Sequence, residues 1–121
     1  MKYDNIKKNK FYKAHNKDSY GHPSLVVKKD DEKQDILIVK FTSDKKYKDV
    51  EKEPLKFRID ENVPDKPIKR KKDGELYHTY VVKYPYVVKS NVLSYSKKYE
   101  NYRIGKEDKR RIYNIKRRKP K

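Results

Sequence analysis

The sequence predicts a mainly β, β-rich α+β fold: a small SH3-like twisted sheet or barrel of about six strands with a C-terminal helix. Three observations carry this. The apolar residues fall in short runs rich in Val, Ile, Tyr and Phe. Charged stretches with turn residues separate those runs. Only residues 105–118 combine acidic residues at the start with basic residues at the end, as a helix prefers. A chain of 121 residues is expected to form one domain, residues 1–121.

Taken in order, Met1–Asn9 is polar and reads as a fraying end. Phe11–His15 is a short aromatic strand, and Asn16–Pro23 reads as a loop from its Asn, Asp, Ser, Gly and Pro. Ser24–Lys28 and Ile36–Thr42 are β-branched strands joined by the charged turn Lys29–Asp35. The second of these is continuously apolar rather than alternating, which suggests a central strand covered on both faces. Leu55–Ile59 alternates apolar and basic residues, so its basic side chains would line one face. Residues 62–75, with two prolines, Lys69–Lys72 and Asp73-Gly74, form a cationic loop or hairpin tip. Leu76–Val88 is the strongest β segment. Pro85 should interrupt its ladder or mark an edge or bend, and Val87, Val88, Val92 and Leu93 continue the core. Ser94–Tyr102 is polar and tyrosine-rich. Gly105–Arg118 is the helix, with Ile112 and Ile115 as the narrow apolar edge that must dock on the sheet. Residues 1–9 and 116–121 are expected to be flexible ends.

Composition narrows the function. Hydrophobic residues make up 33% and charged residues 44%, so the core must be small. There is no Cys, which excludes disulfides, Cys-based zinc sites and thiol nucleophiles. No run approaches the roughly 18 apolar residues of a membrane span, and the basic N-terminus lacks the apolar core of a signal peptide. A cytoplasmic location is the expectation. The net charge is +17, of which residues 97–121 carry +9. Residues 1–27 contribute +4, and residues 28–75 and 76–96 contribute +2 each. Such a block attracts polyanions by steering and counterion release, and RNA or DNA is the favoured partner. An acidic protein comes next and a membrane surface last.

The residues that carry chemistry lie between Tyr20 and Lys45. The strands Leu25–Val27 and Ile36–Val39 form one hairpin whose base would gather His22, the hydroxyls of Thr42 and Ser43, and Lys45. Metal-free RNA cleavage needs a base for the 2′-OH, an acid for the leaving 5′-oxygen, donors or cations around the phosphorane, and a surface that splays the bases. A free imidazole titrates near neutrality, which makes His22 the acid–base candidate. Thr42 and Ser43 can donate to phosphate oxygens, and Lys45 can neutralise charge. The bland alternatives are an ordinary loop histidine, a strand-end turn cap and a solvated lysine. Lys17, Tyr20, Lys46, Lys69, Arg70, Lys71, Lys72, Arg110 and Arg111 are the candidate RNA-binding residues. The 12 tyrosines include Tyr77, Tyr80, Tyr84 and Tyr86, most of which should pack their rings in the core; others can stack bases. His15 and His78 read as packed rings in strands. Asp30-Asp31-Glu32 reads as a solubilising turn. No metal site and no cofactor are expected, since the chain has no Gly-rich phosphate loop and no His-x-x-x-His pair.

The order of these motifs resembles that of the PemK/MazF-like toxin endoribonucleases, including the ToxN-like, RNA-neutralised members. That family has an Arg-Pro-led apolar strand followed by an apolar strand ending in Thr-Ser. The matching stretches are His22-Pro23-Ser24-Leu25-Val26-Val27 and Ile36-Leu37-Ile38-Val39-Lys40-Phe41-Thr42-Ser43. Ile104-Gly105-Lys106-Glu107-Asp108, followed by Ile112 and Ile115, is similar to the family's closing Gly motif and helix. Thr42-Ser43-Asp44-Lys45 matches the Thr-Ser-x-Lys cluster of ToxN-like proteins. His22 stands where the family usually has a catalytic arginine, which leaves the phosphate-stabilising cation unassigned. The resemblance implies a sequence-preferring, metal-independent endoribonuclease toxin of a bacterial or phage toxin–antitoxin system, leaving a 2′,3′-cyclic phosphate. It further implies a cognate antitoxin; the size of the charge and its concentration in one terminal block slightly favour a structured RNA over an acidic protein for that part. The sequence leaves the oligomeric state open, a homo-oligomer included. The alternative is a non-catalytic basic nucleic-acid-binding protein on the same small β scaffold, whether mobile-element, ribosome-associated or a phage inhibitor.

Overall fold

A computed structural model describes residues 1–16, 19–44, 56–58, 70–72, 75–100, 102 and 104–120, with backbone alone at 16, 19–22, 43–44, 56–58, 70–72 and 75–78. The chain is mainly β. Its strands are β1 (Phe11–Asn16), β2 (Ser19–Asp30), β3 (Asp35–Asp44), β4 (Lys56–Arg58), β5 (Arg70–Lys72), β6 (Glu75–Val88) and β7 (Leu93–Ser94). Among the described residues, three short 3-10 turns, η1 (Tyr3–Asn5), η2 (Ser90–Val92) and η3 (Lys97–Tyr99), and one helix, α1 (Lys106–Lys116), accompany them. The sheet runs β4-β6-β3-β2-β1-β7, and β5 pairs with β6. Every pairing is antiparallel. Among the described residues nothing pairs β4 with β7.

As its continuous apolar run implies, β3 is central, lying between β6 and β2. Leu37, Val39 and Phe41 join Phe11, Leu25, Val27, Val81 and Tyr99 beneath Ile112 and Ile115 of α1. Ile36 and Ile38 point the other way, into a second cluster with Tyr12, Ala14, Val26 and Leu93. The period of two thus feeds two cores from one strand.

That second core is closed by the N-terminus, whose polar composition suggested a frayed end. Instead Tyr3 and Ile6 are buried against it. The Met1 ammonium donates to the carbonyls of Ser90 and Leu93 at 3.3 and 3.1 Å. Lys29 Nζ donates to the carbonyls of Tyr3 and Ile6 at 3.1 and 2.7 Å and lies 4.1 Å from the centre of the Tyr3 ring. The Asp30 carboxylate accepts from the backbone N–H groups of Glu32 and Lys33, which fixes the β2–β3 turn. Gln34 closes that turn in the left-handed region, at φ 55°.

Part of the expected loop Asn16–Pro23 is strand. Ser19–Pro23 pairs with β1, and Gly21 is the extra residue between His22, opposite Ala14, and Tyr20, opposite His15. A glycine at a bulge explains why turn-forming residues sit in a strand. Pro23 has no N–H to donate, and pairing with β3 begins just after it, at Ser24 opposite Lys40. A second bulge in β2 sets both Val27 and Lys28 on the helix side of the sheet, since Lys28 stands opposite Leu37 and Lys29 opposite Ile36. It is why Lys29, not Lys28, reaches Tyr3.

Pro85 behaves as expected. Val39 stands opposite Pro85 but Phe41 opposite Val81, so β6 spends two extra residues beside the proline. Val87 departs from expectation, being 49% exposed rather than core. It faces a shallow cleft with Arg117 and Arg118, where the cover from α1 runs out. The cationic 62–75 segment contributes β5, and residues 56–58 of the expected strand Leu55–Ile59 form β4, its two ends lying outside the described residues. Helix α1 starts after Gly105, with Glu107 and Asp108 in its first turn and Lys116 in its last. Among the described residues, no helix is long and apolar enough to cross a membrane.

Candidate nucleic-acid interface

An antiparallel hairpin returns to its own start, so the end of β3 comes back to the beginning of β2. The last β2–β3 pair is Ser24 opposite Lys40. Two residues outward on each strand lie His22 and Thr42, beyond the ladder and at the same end of the hairpin. From there β3 continues along β6 alone: Thr42 stands opposite Tyr80, Ser43 opposite Thr79 and Asp44 opposite His78. Arg58 of β4 stands opposite Tyr80 on its other side, which extends this row to a third strand.

Thr42 is half-buried, and Tyr80 and Thr79 are buried. Alternation along β3 puts Thr42 on the same face as Ile38 and Lys40. Lys40 Nζ lies 4.1 Å from the centre of the Tyr86 ring, and Ser24 opposite it is fully buried. The row at the hairpin base is therefore built by three paired strands, β3, β6 and β4.

The remaining candidates divide. The side chains of Tyr20, His22 and Ser43 are outside the described residues, as are Lys17, Lys45, Lys46 and Lys69 altogether. Arg70, Lys71 and Lys72 form β5, opposite Tyr77, Leu76 and Glu75. Arg110 and Arg111 lie on α1, over the opposite face of the sheet from Thr42. Arg110 is 3.5 Å from Glu107. Arg111 is 3.4 Å from the buried carboxylate of Asp108. That contact gives Arg111 a structural task besides any role with RNA.

Of the other titratable candidates, His15 is exposed rather than packed, and its Nε2 lies 2.7 Å from Ser94 Oγ. Asp31 of the acidic turn accepts a 2.7 Å hydrogen bond from the Tyr3 hydroxyl. Burial first, then this bond and the nearby carboxylates, push the Tyr3 hydroxyl up to about 12. Among the described residues no cluster of His, Asp and Glu could hold a metal ion. Tyr80 is buried as expected, and Tyr84 and Tyr86 are half-buried.

Sequence reasoning missed a second basic surface, made by Lys7, Lys8 and Lys10 with Lys109 and Lys116. Its signal was present in part: Tyr113 and Lys116 are one helical turn apart on the edge of α1 next to Ile112. The partners from residues 7–10 come from the far end of the chain, and nothing in their own sequence announces where they dock.

No family model, no curated protein and no solved structure shows a significant match to this chain.

Proposed function

We propose that this protein is a metal-independent endoribonuclease that cleaves single-stranded RNA at the open base of the β2–β3 hairpin, as the toxin of a toxin–antitoxin pair. The observation that carries the reading is the topology: His22 and Thr42 lie on adjacent strands, two residues past the last pair, at one end of the hairpin. In the proposed reaction His22 takes the proton from the 2′-OH. The 2′-oxygen then bonds to phosphorus, the bond to the 5′-oxygen breaks, and the protonated imidazole or water returns a proton to that oxygen. Thr42 and Ser43 donate to the non-bridging oxygens, where charge grows, and Lys45 supplies the cation. The products are a 2′,3′-cyclic phosphate and a 5′-hydroxyl. The partner that silences such a site is a cognate antitoxin, and a net charge of +17 favours a structured RNA over an acidic protein for that part.

A second reading, a non-catalytic nucleic-acid-binding protein, is favoured by the concentration of +9 in residues 97–121, which needs no chemistry to be useful. One experiment separates the two. Long single-stranded RNA is incubated with the protein in EDTA, and the ends are analysed. Cyclic-phosphate ends that vanish with His22→Ala or Thr42→Ala support the enzyme. RNA that is bound but stays intact supports the binding protein.

A further inference from the structure

On the helix-covered face, away from the hairpin base, lies an open groove of about 1100 Å³. Residues 7–10 form one bank, Tyr95, Ser96, Tyr99, Glu100 and Tyr102 a second, and α1 the third. Asn9, in the left-handed region at φ 66°, donates its N–H to the Val26 carbonyl at 2.8 Å. This turn ties the lysine-bearing bank to β2. The floor is apolar: Phe11 meets Phe41 edge-on at 5.1 Å and Tyr102 at 5.6 Å, and Tyr99 lies 4.9 Å from Tyr102.

Two features of the rim define what fits. First, Lys7, Lys8, Lys10, Lys109 and Lys116 line the groove, and among the described residues Glu100 is the single acidic one there. The Glu100 carboxylate accepts a hydrogen bond from the Tyr95 hydroxyl. Second, two rings stand out of the surface, Tyr95 at 58% and Tyr113 at 55% exposure. Lys116 and Arg117 each lie 5.8 Å from the centre of the Tyr113 ring. Exposed aromatic faces beside cations match the alternation of base and phosphate along a single strand.

We propose that this groove binds single-stranded nucleic acid, with a base stacked on Tyr113 and backbone phosphates held by Lys8, Lys109 and Lys116. The site goes beyond the cleavage reading and does not require it. Burial, followed by the charges of Lys8 and Lys28, lowers the pKa of Lys116. The bulge in β2 is what turns Lys28 toward this side. A phosphate placed between Lys8 and Lys116 would relieve their repulsion. An exposed tyrosine flanked by cations selects a base-bearing strand over an acidic peptide, which has no flat π-face to stack.

The test is fluorescence anisotropy in EDTA with labelled strands of about twelve nucleotides. One arm uses 2′-O-methyl RNA, which cannot be cleaved through its 2′-oxygen, and another uses DNA of the same sequence. Acidic peptide of equal charge forms a third arm. Both nucleic acids are expected to bind. Tyr113→Ala weakens binding about tenfold while Tyr113→Phe retains it. The double variant Lys8→Ala/Lys116→Ala lowers the steepness of the salt dependence by about one unit, whereas Lys89→Ala, which lines neither this groove nor the cleft beside Val87, does not. A thermal melt establishes that each variant is folded. Binding that ignores Tyr113 and the lysine pair, or peptide binding in place of nucleic acid, would overturn the proposal. RNA cleavage plays no part in these readouts, so the two proposals fail separately.

Discussion

Lys29 is one of 35 basic residues, and its composition alone would assign it to solvent. The bulge at Val27–Lys28 turns it instead toward the N-terminal segment, where it satisfies the carbonyls of Tyr3 and Ile6. Lys29→Met keeps the stem but loses both charge-assisted bonds, and urea unfolding should show a loss of about 1–3 kcal/mol. An unchanged midpoint would mean the contacts are ornamental. Tyr3 offers a pH readout at the same place. Its folded value of about 12 lies above the ordinary 10.0. Its contribution to stability is therefore fully present below pH 10 and is lost as pH rises from about 10 to about 12. Lysines also titrate there, so the clean measurement is tyrosinate absorbance. The difference between the parent and Tyr3→Phe should reveal one hydroxyl ionising late; a difference centred near pH 10 would contradict the docked N-terminus. None of this was legible beforehand, because Tyr3 and Ile6 show no periodicity and their partners are 20 or more residues away in sequence.

Elements with a strong pattern of their own were legible. The unbroken apolar run of β3 indicated cover on both faces, and its residues do divide between two cores. The charge polarity of α1 gave its ends to within a few residues, and its two isoleucines gave its docked face. Ile112→Ala should cost about 2–4 kcal/mol, since the ring of residues around it cannot collapse fully into the space. Urea denaturation checks this, and a cost below about 1 kcal/mol would show that α1 hangs loosely on the sheet. The strand Ser19–Pro23 was missed because Gly21 and Pro23 carry turn signals. A bulge absorbs the glycine, and the proline falls where the β3 ladder has not begun, so pairing with β1 overrides local preference. Val87 was misread because alternation gives a residue's face but not how far the helix covers it. That the backbone positions of His22 and Thr42 lie at the same end of the hairpin was legible from hairpin logic alone. The groove of Lys8, Tyr113 and Lys116 was not, since it joins both ends of the chain.

At the scale of the whole molecule, the two proposed surfaces lie on opposite faces of the sheet. The helix-covered face carries the lysine and tyrosine groove. The other face carries the row from Thr42 to Tyr80 at the hairpin base. With five lysines along the groove, the log of RNA affinity should fall against the log of salt concentration with a slope on the order of −3. A slope near zero, measured by anisotropy, would remove phosphate contacts from the account. The division of labour also predicts that groove variants weaken RNA binding, whereas Thr42→Ala leaves binding intact and removes cleavage. The most direct test of the central claim is the chemistry of the RNA ends. Purified protein is incubated with a long single-stranded RNA in EDTA, in parallel with the His22→Ala and Thr42→Ala variants. The account predicts fragments ending in 2′,3′-cyclic phosphate with the parent and intact RNA with both variants. Intact RNA with the parent at saturating concentration, or equal cleavage by all three proteins, would contradict it.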